Sequence, residues 1–375
     1  ATTSVSSNVP ASAQILEFVE PQTNSTVILI GTMHYNPTSI ALVESSLEHL
    51  GQRSRLGPVI IESCDLRWNA DATPTADDVD ATGTGGDDCN TSSSNMKTFL
   101  KNEMRAAHDV AIEYRAPVIL GDQRINVTSA AIVSTAKETL SDLMSPLEGG
   151  WERFYSDVRS LSRAALPSSR DDEESLYIDA RGFLDTRLLL SLPTTLVKYP
   201  LAWFLRFPLG GTAFVSSLWV LNYVAEITSR ASETATGLER FEDLYVSLIV
   251  ALFEVLILGR IMLKVILADR NEILAKNILA QCFIYRNQRD QQTTNVHNLW
   301  QKINSIFHFK GKHEIDIPPL QSNDTDLQIV YAPDSTNLPI PNDKYDSAND
   351  KVIVAVLGMA HCNGIMKLLK EQKIT

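Results

Sequence analysis

Four short apolar runs constrain the fold of this chain more than any other feature of its sequence. Each run is rich in β-branched residues, and together they cover residues 27–30, 59–61, 118–120 and 352–357. Continuous apolar runs of this length are typical of parallel strands that are covered on both faces. The helical spacing of residues 39–51 predicts a right-handed strand–helix–strand crossover between the first two runs. The sequence therefore predicts an α/β fold with a central, mainly parallel sheet flanked by helices.

Differences in composition divide the predicted fold into three parts. Residues 1–135 hold the first three runs as an N-terminal α/β half, and residues 69–95 are a disordered, acidic insertion rich in Asp, Thr and Gly. Residues 136–308 form a mostly α-helical, apolar insertion in the middle third. Residues 309–375 complete the sheet, and we expect residues 327–331 to form an edge strand.

Two stretches of the middle third approach the ~20 residues that cross a bilayer. They are residues 187–225 and 244–268. The second stretch contains Arg260 and Lys264, and charges at bilayer depth cost about 2.5–3.5 kcal/mol each. Two interpretations follow: the stretches are buried helices of a helical subdomain, or they associate with a membrane as a helical hairpin.

The composition limits the classes of partner and of structural site. The net charge of −12 argues against a nucleic-acid partner and against simple adsorption to anionic lipid, because both need a basic face. The four cysteines include no CxxC pair, which argues against a disulfide framework and a structural zinc site. The Ser- and Thr-rich start fits removal of a targeting peptide, or an edited start, and so predicts an organellar or membrane-associated location.

Each apolar run leads into polar residues of specific types. In open α/β sheets, ligands bind outside the carboxyl ends of the strands, so adjacent strands would bring these side chains together. The residues are His34, Glu62, Arg67, Asp122, Arg124 and His361.

Two of these positions share a Gly-x-x-His pattern. Gly31 precedes His34, and Gly358 precedes His361, each at the end of an apolar run. Glycine tolerates backbone conformations that other residues avoid, so we expect both glycines to form sharp turns that direct the imidazoles into the crevice.

The residue types in this cluster suit two kinds of chemistry. Two imidazoles and a carboxylate, here His34, His361 and Glu62, are a common ligand set for a divalent transition metal such as Mn, Co or Zn. The same three groups could act as a metal-free acid–base set. Arg67 could bind a carboxylate or phosphate, or stabilise an oxyanion. The alternative is structural: the histidines are satisfied residues of the core or rim, and Arg67 pairs with Glu62 or Asp122.

Five sequence elements, in order, resemble those of TraB/PrgY-family domains. The first is Ile30-Gly-Thr-Met-His34, and the second resembles the Glu-Leu-Cys-x-x-Arg element of the family with Ser63 in place of Leu. The third resembles Gly-Asp-Arg-x-Ile-x-x-Thr, the fourth resembles Glu-Arg-Asp, and the last resembles Gly-x-Gly-His-x-x-Gly-Ile. The last four elements occupy residues 59–67, 120–128, 268–271 and 356–365.

The chain departs from the family pattern at three further positions. Gln123 takes the place of the family arginine, so that Arg124 falls one position later, and Asp269 and Asn271 replace Glu and Asp. The replacement at Asn271 removes one carboxylate from the pattern.

The resemblance also implies roles for individual residues. It implies that His34, Glu62 and His361 bind a metal or carry catalysis, with Glu62 as general base or ligand. It further implies that Asp122 orients a histidine and that Arg67 and Arg270 position substrate or fix the carboxylates. The remaining implied positions are Arg124 and Asn271, which would contact substrate or support the site, and Gly364, which would form a turn like Gly31 and Gly358.

The family includes Tiki-type metal-dependent proteases, is related to erythromycin-esterase-like hydrolases, and contains PrgY-type proteins that act by binding. We therefore expect a metal-dependent hydrolase that cleaves peptide or ester bonds in a peptide or small-molecule substrate. The alternative is a non-catalytic binding, regulatory or scaffold subunit of a membrane-associated complex with a protein partner. In that case membrane association would involve residues 187–225 and 244–268.

Overall fold

The computed structural model describes most of the sheet and the helices around it. The described residues are 12–72, 101–165, 185–206, 255–289, 328–331 and 351–371, with the single positions 178, 212, 216, 219, 223 and 252. The predicted insertion at residues 69–95 falls largely outside these ranges, and its first four residues belong to a helix.

Six strands form one mixed sheet in the order β1-β2-β6-β3-β4-β5. The central strands β2, β6, β3 and β4 are parallel, and β1 and β5 pair antiparallel at the two edges. This arrangement confirms the predicted mainly parallel sheet and the predicted edge strand, and it adds β1, which the sequence analysis missed. The strands are β1 (Ile15–Val19), β2 (Thr26–Thr32), β3 (Leu56–Ile61), β4 (Val118–Leu120), β5 (Gln328–Tyr331) and β6 (Val352–Gly358).

The apolar runs are continuous because helices cover both faces of the sheet. Val27 and Leu29 of β2 pack into one core, whereas Ile28 and Ile30 pack into the other, as the alternation of strand side chains requires. Helices α1 and α3 cover the second core, and α7 and α8 cover the first. The helices are α1 (Pro37–Gln52), α2 (Asp65–Ala72), α3 (Glu103–Glu113), α4 (Ile125–Met144), α5 (Gly150–Ala165), α6 (Thr186–Arg206), α7 (Arg270–Arg289) and α8 (Met359–Glu371).

The described parts of the middle third are helical. Helix α6 contains Pro193 and Pro200, and a π-helical segment, Met262–Asp269, leads directly into α7. Among the helices in the described ranges, none has the length and apolar composition that a membrane crossing requires. Helix α4 runs through residue 135, where the first predicted part ends. The three-part division and the extent of the apolar insertion remain predictions.

Arg260, a charge within the second apolar stretch, lies at the centre of a buried ion-pair network. Its side chain is 2% exposed, and it donates to Asp142 at 2.8 Å, Asp157 at 2.8 Å and Glu138 at 3.0 Å. Lys264 donates to Glu138 at 2.8 Å. These carboxylates lie on α4 and α5, so Arg260 connects both helices to the segment that precedes α7.

Replacement of Arg260 tests the contribution of this network to stability. Arg260→Ala would leave the buried Asp142 carboxylate without its main partner, and we expect the free energy of unfolding to fall by about 3–5 kcal/mol in chemical denaturation. Arg153→Ala is the matched control, because Arg153 pairs with the same carboxylate at 3.0 Å but is 53% exposed. Its expected loss is about 0.2–1 kcal/mol. Equal losses in both variants would contradict the central role of Arg260.

Candidate functional site

The carboxyl ends of β2, β6 and β3 lie side by side and bring three predicted side chains together. His34 follows β2, Glu62 follows β3, and His361 lies in the first turn of α8, after β6. Their proximity is visible around Gly358. A methyl group on its Cα would lie 3.2 Å from Glu62 Oε2, 3.4 Å from His361 Cδ2 and 3.7 Å from His34 Nε2.

Glu62 is the buried carboxylate at the centre of this cluster. Its Oε2 accepts a hydrogen bond from the Gly358 N–H at 2.5 Å, and its Oε1 pairs with Nη2 of Arg270. His361 Nε2 lies 3.5 Å from the same Oε1. Burial by itself would raise the pKa of Glu62, but His361, Arg270, His34 and the Gly358 N–H together lower it to about 2. Glu62 is therefore ionised at neutral pH.

His361 has a neutral hydrogen-bond partner. Its Nδ1–H donates to Oδ1 of Asn271 at 2.7 Å, which leaves Nε2 as the nitrogen that faces Glu62. Burial lowers the pKa of His361, although Glu62 opposes this effect. Gly364 provides space for the Asn271 amide, since a Cβ at this position would lie 2.2 Å from Asn271 Nδ2.

His34 has a charged partner that the sequence analysis did not identify. Its Nδ1–H donates to Glu103 Oε1 at 2.5 Å, and the backbone N–H of Tyr35 donates to Glu103 Oε2 at 3.0 Å. Burial disfavours the imidazolium, but the charge and hydrogen bond of Glu103 outweigh burial and raise the pKa of His34 to about 9. Because 40% of the His34 side chain is exposed, solvent partly screens this attraction.

Glu103 gave no sequence signal because acidic residues are common at helix starts. It is the first residue of α3 and follows the N-cap Asn102, where a carboxylate usually interacts with the helix dipole. Its complete burial, which marks it as a functional candidate, is a property of the tertiary structure alone.

Asp122 contacts two arginines, whereas the sequence analysis predicted that it orients a histidine. Arg67 Nη2 pairs with Asp122 Oδ2, and Arg270 reaches both carboxylate oxygens, with Nε 3.0 Å from Oδ1. The Asp122 carboxylate therefore holds two guanidinium groups side by side. Of the two ion pairs that the structural alternative allowed for Arg67, with Glu62 or with Asp122, the structure shows the pair with Asp122.

Arg124 lies apart from this cluster. Its Nε is 3.3 Å from Oδ2 of Asp65, which pairs the start of α2 with the residue before α4. Asn271, by contrast, contributes directly by binding His361.

Two of the three predicted turn glycines lie within regular elements, and the third, Gly358, lies at the junction between β6 and α8. Gly31 lies within β2, where a Cβ would meet Ile178 Cδ1 at 3.0 Å and Met359 Cγ at 3.1 Å. Gly358 ends β6, and Gly364 lies within α8. Within the described ranges, Gly149 is the one glycine with a positive φ.

The donor types of His34, His361 and Glu62 suit a divalent metal, but their surroundings do not. Both histidines engage Nδ1 with an oxygen, as metal-bound histidines do. However, both Glu62 oxygens already accept hydrogen bonds, and the Arg270 guanidinium already supplies the positive charge that a metal ion would bring to Glu62. No group of three or more His, Cys, Asp or Glu side chains in the described part of the chain is placed to hold a metal. The arrangement does not fit a metal ion, and metal dependence remains a prediction.

Comparisons of the chain with protein families, curated proteins and solved structures found no match. The resemblance to TraB/PrgY domains remains a prediction from the sequence elements. What the site can do must follow from its own geometry.

The raised pKa of His34 predicts the effect of removing its partner. In Glu103→Gln, the carboxylate charge is lost while burial still disfavours the imidazolium, so the pKa of His34 should fall from about 9 to 6.5 or below. NMR titration of the imidazole signals measures this change, with His34→Gln used to assign them. Glu113→Gln, at the exposed end of the same helix, is the control and should leave the titration unchanged. An unchanged pKa in Glu103→Gln would show that Glu103 does not control His34.

Proposed function

We propose that this chain is a hydrolase that cleaves an ester or peptide bond with His361 as general base and His34 as general acid. The observation that carries the proposal is that two imidazoles lie at one buried carboxylate, His34 bound to the Glu103 carboxylate and His361 bound to the neutral Asn271 amide. Glu103 raises the pKa of His34, whereas burial lowers the pKa of His361. Such a pair assigns the base and the acid, because the base must be neutral and the acid protonated at the same pH.

In this mechanism, His361 removes a proton from the attacking water. Its Nδ1–H is bound to Asn271, so the lone pair of Nε2 is free to accept the proton as the water oxygen bonds to the carbonyl carbon. Glu62, whose Oε1 lies 3.5 Å from Nε2, stabilises the positive charge that His361 acquires.

His34 completes the reaction from the other side of Glu62. As the bond between the carbonyl carbon and the leaving oxygen or nitrogen breaks, the leaving atom takes a proton from Nε2 of His34. Glu103 holds Nδ1 and maintains His34 as an imidazolium before this step. The proton on His361 then returns to solvent as His34 is reprotonated.

The two arginines would bind negative charge. Arg270 lies against Glu62 and would stabilise the developing oxyanion, whereas Arg67 pairs with Asp122, and 33% of its side chain is exposed. A guanidinium that Asp122 holds in place can bind a carboxylate or phosphate group of the substrate.

The ion pairs also favour a second candidate, a binding or scaffold subunit without catalysis. Arg270 bridges Glu62 and Asp122 in a closed network that would stabilise the fold without any substrate. Asn271, where TraB/PrgY domains have Asp, favours the same interpretation. In either case, the resemblance to that family supports a common α/β scaffold, and organellar or membrane association remains a prediction.

Hydrolysis of p-nitrophenyl esters and of a peptide library distinguishes the two candidates. Loss of either acid–base residue, in His361→Ala or His34→Gln, should lower kcat/KM by about 10²–10⁴-fold. The control His49→Gln, on α1, should retain activity. Circular dichroism verifies folding. An inactive wild-type protein, even with added Mn, Co or Zn, would favour the binding candidate.

A chelator tests the metal-free form of this proposal. We expect activity to persist in EDTA, because the Arg270 guanidinium already supplies the positive charge beside Glu62. Activity that EDTA removes and that one of the three metals restores would instead support the metal-dependent hydrolase predicted from the family resemblance.

The pH dependence of kcat/KM should be bell-shaped. The rate should rise with pH as His361 loses its proton, below the 6.5 of an ordinary histidine, and fall as His34 loses its proton near pH 9. In Glu103→Gln, the lower pKa of His34 should move the alkaline limb to lower pH and leave the acidic limb in place. An alkaline limb that does not move would assign the acid to another group.

A further inference from the structure

Helix α6, from the apolar middle third, is attached to the loop that carries His34. Ser191 Oγ donates to Asn36 Oδ1 at 2.8 Å, and Asn36 Nδ2 donates to the Leu188 carbonyl at 3.3 Å. Asn36 is also the N-cap of α1, so the same side chain fixes the start of α1 and the position of α6. The apolar helix is therefore part of the surroundings of the candidate site.

This attachment places the ring of Tyr199 beside His34. The two ring centroids are 6.4 Å apart with an interplanar angle of 22°, and the ring of Tyr35 meets Tyr199 edge-on at 6.0 Å. Tyr199 is 53% exposed and His34 is 40% exposed on its side chain, so both rings border solvent. Tyr199 thus forms one wall on the open side of His34.

An exposed apolar side chain lies three residues before Tyr199, on the same face of α6. It is Leu196, which is 64% exposed among the described residues. The contacts that begin at Tyr199 and His34 continue through Glu62 to Arg270, Asp122 and Arg67. This series of contacts therefore has an aromatic end at Tyr199 and a cationic end at Arg67.

We propose that Tyr199 is a specificity-determining residue that binds an apolar or aromatic leaving group of the substrate. This inference rests on the proposed function, in which His34 protonates the leaving group. A group protonated by His34 would lie near the ring of Tyr199, where stacking and apolar contact favour an aromatic or alkyl group over a polar one. The substrate class is an ester of an apolar alcohol, or a peptide with an apolar or aromatic residue after the cleaved bond.

Two esters of one acid separate the apolar preference from leaving-group reactivity. Benzyl and 2-methoxyethyl esters have alcohols of similar acidity but differ in polarity. The wild-type protein should prefer the benzyl ester by about tenfold in kcat/KM. Tyr199→Ala should lose most of this preference, chiefly through a higher KM for the benzyl ester, and Tyr199→Phe should retain it.

Leu190→Ala is the matched control, because Leu190 is an exposed apolar residue near the start of the same helix. It should leave the preference unchanged. If Tyr199→Ala lowers kcat/KM equally for both esters, or if the wild-type protein cleaves them equally well, the inference is overturned while the proposed function stands.

If the protein cleaves neither these esters nor the p-nitrophenyl esters and peptides, the proposed function fails, and calorimetry then tests Tyr199 on its own. The probe is the monobenzyl ester of methylphosphonic acid, whose negative charge and benzyl group match the cationic and aromatic ends of the series of contacts. We expect the wild-type protein and Tyr199→Phe to bind this probe equally, and Tyr199→Ala to bind it about tenfold more weakly. This result would support Tyr199 as a binding residue even without hydrolysis. Absence of binding, or equal binding to all three proteins, would overturn the inference.

Discussion

The ion pair between Arg270 and Glu62 is the interaction on which the rest of the site depends. Glu62 is a buried carboxylate, and an unpaired charge in such a position would be neutralised by a shift of its pKa. His361, Arg270, His34 and the Gly358 N–H together oppose this shift. Because Arg270 also binds Asp122, it connects the ends of β3 and β4 to the first residue of α7. The same helix supplies Asn271, so one helix start contributes both to the charge of Glu62 and to the hydrogen bond of His361.

The two histidines show how one residue type acquires opposite properties. Both donate Nδ1–H to an oxygen and direct Nε2 toward Glu62 and Gly358. The partner of His34 is the carboxylate of Glu103, which favours the imidazolium, whereas the partner of His361 is the neutral amide of Asn271. Burial lowers the pKa of both histidines, and only His34 has a carboxylate partner whose charge outweighs this effect.

The helices outside the sheet are connected to the site through polar contacts despite their apolar sequences. Arg260 is buried among carboxylates of α4 and α5 and precedes the π-helical segment that leads into Arg270. Helix α6 is bonded to Asn36, two residues after His34. An arginine in an apolar stretch is therefore explained by a network within the protein, and an exposed tyrosine on α6 is explained by its position at the site.

The sequence by itself determined the parallel core of the sheet and three central residues of the site. Buried parallel strands require continuous apolar runs, and their carboxyl ends must share one edge, which predicted that His34, Glu62 and His361 lie together. Only the tertiary structure decided which groups surround them. Glu103 and Asn271 come from helices 69 and 90 residues away in the chain, and burial and partner choice at such separations leave no local pattern. The close packing at Gly31 and Gly364 gave no sequence signal for the same reason, because the side chains that a Cβ would meet there come from distant parts of the chain.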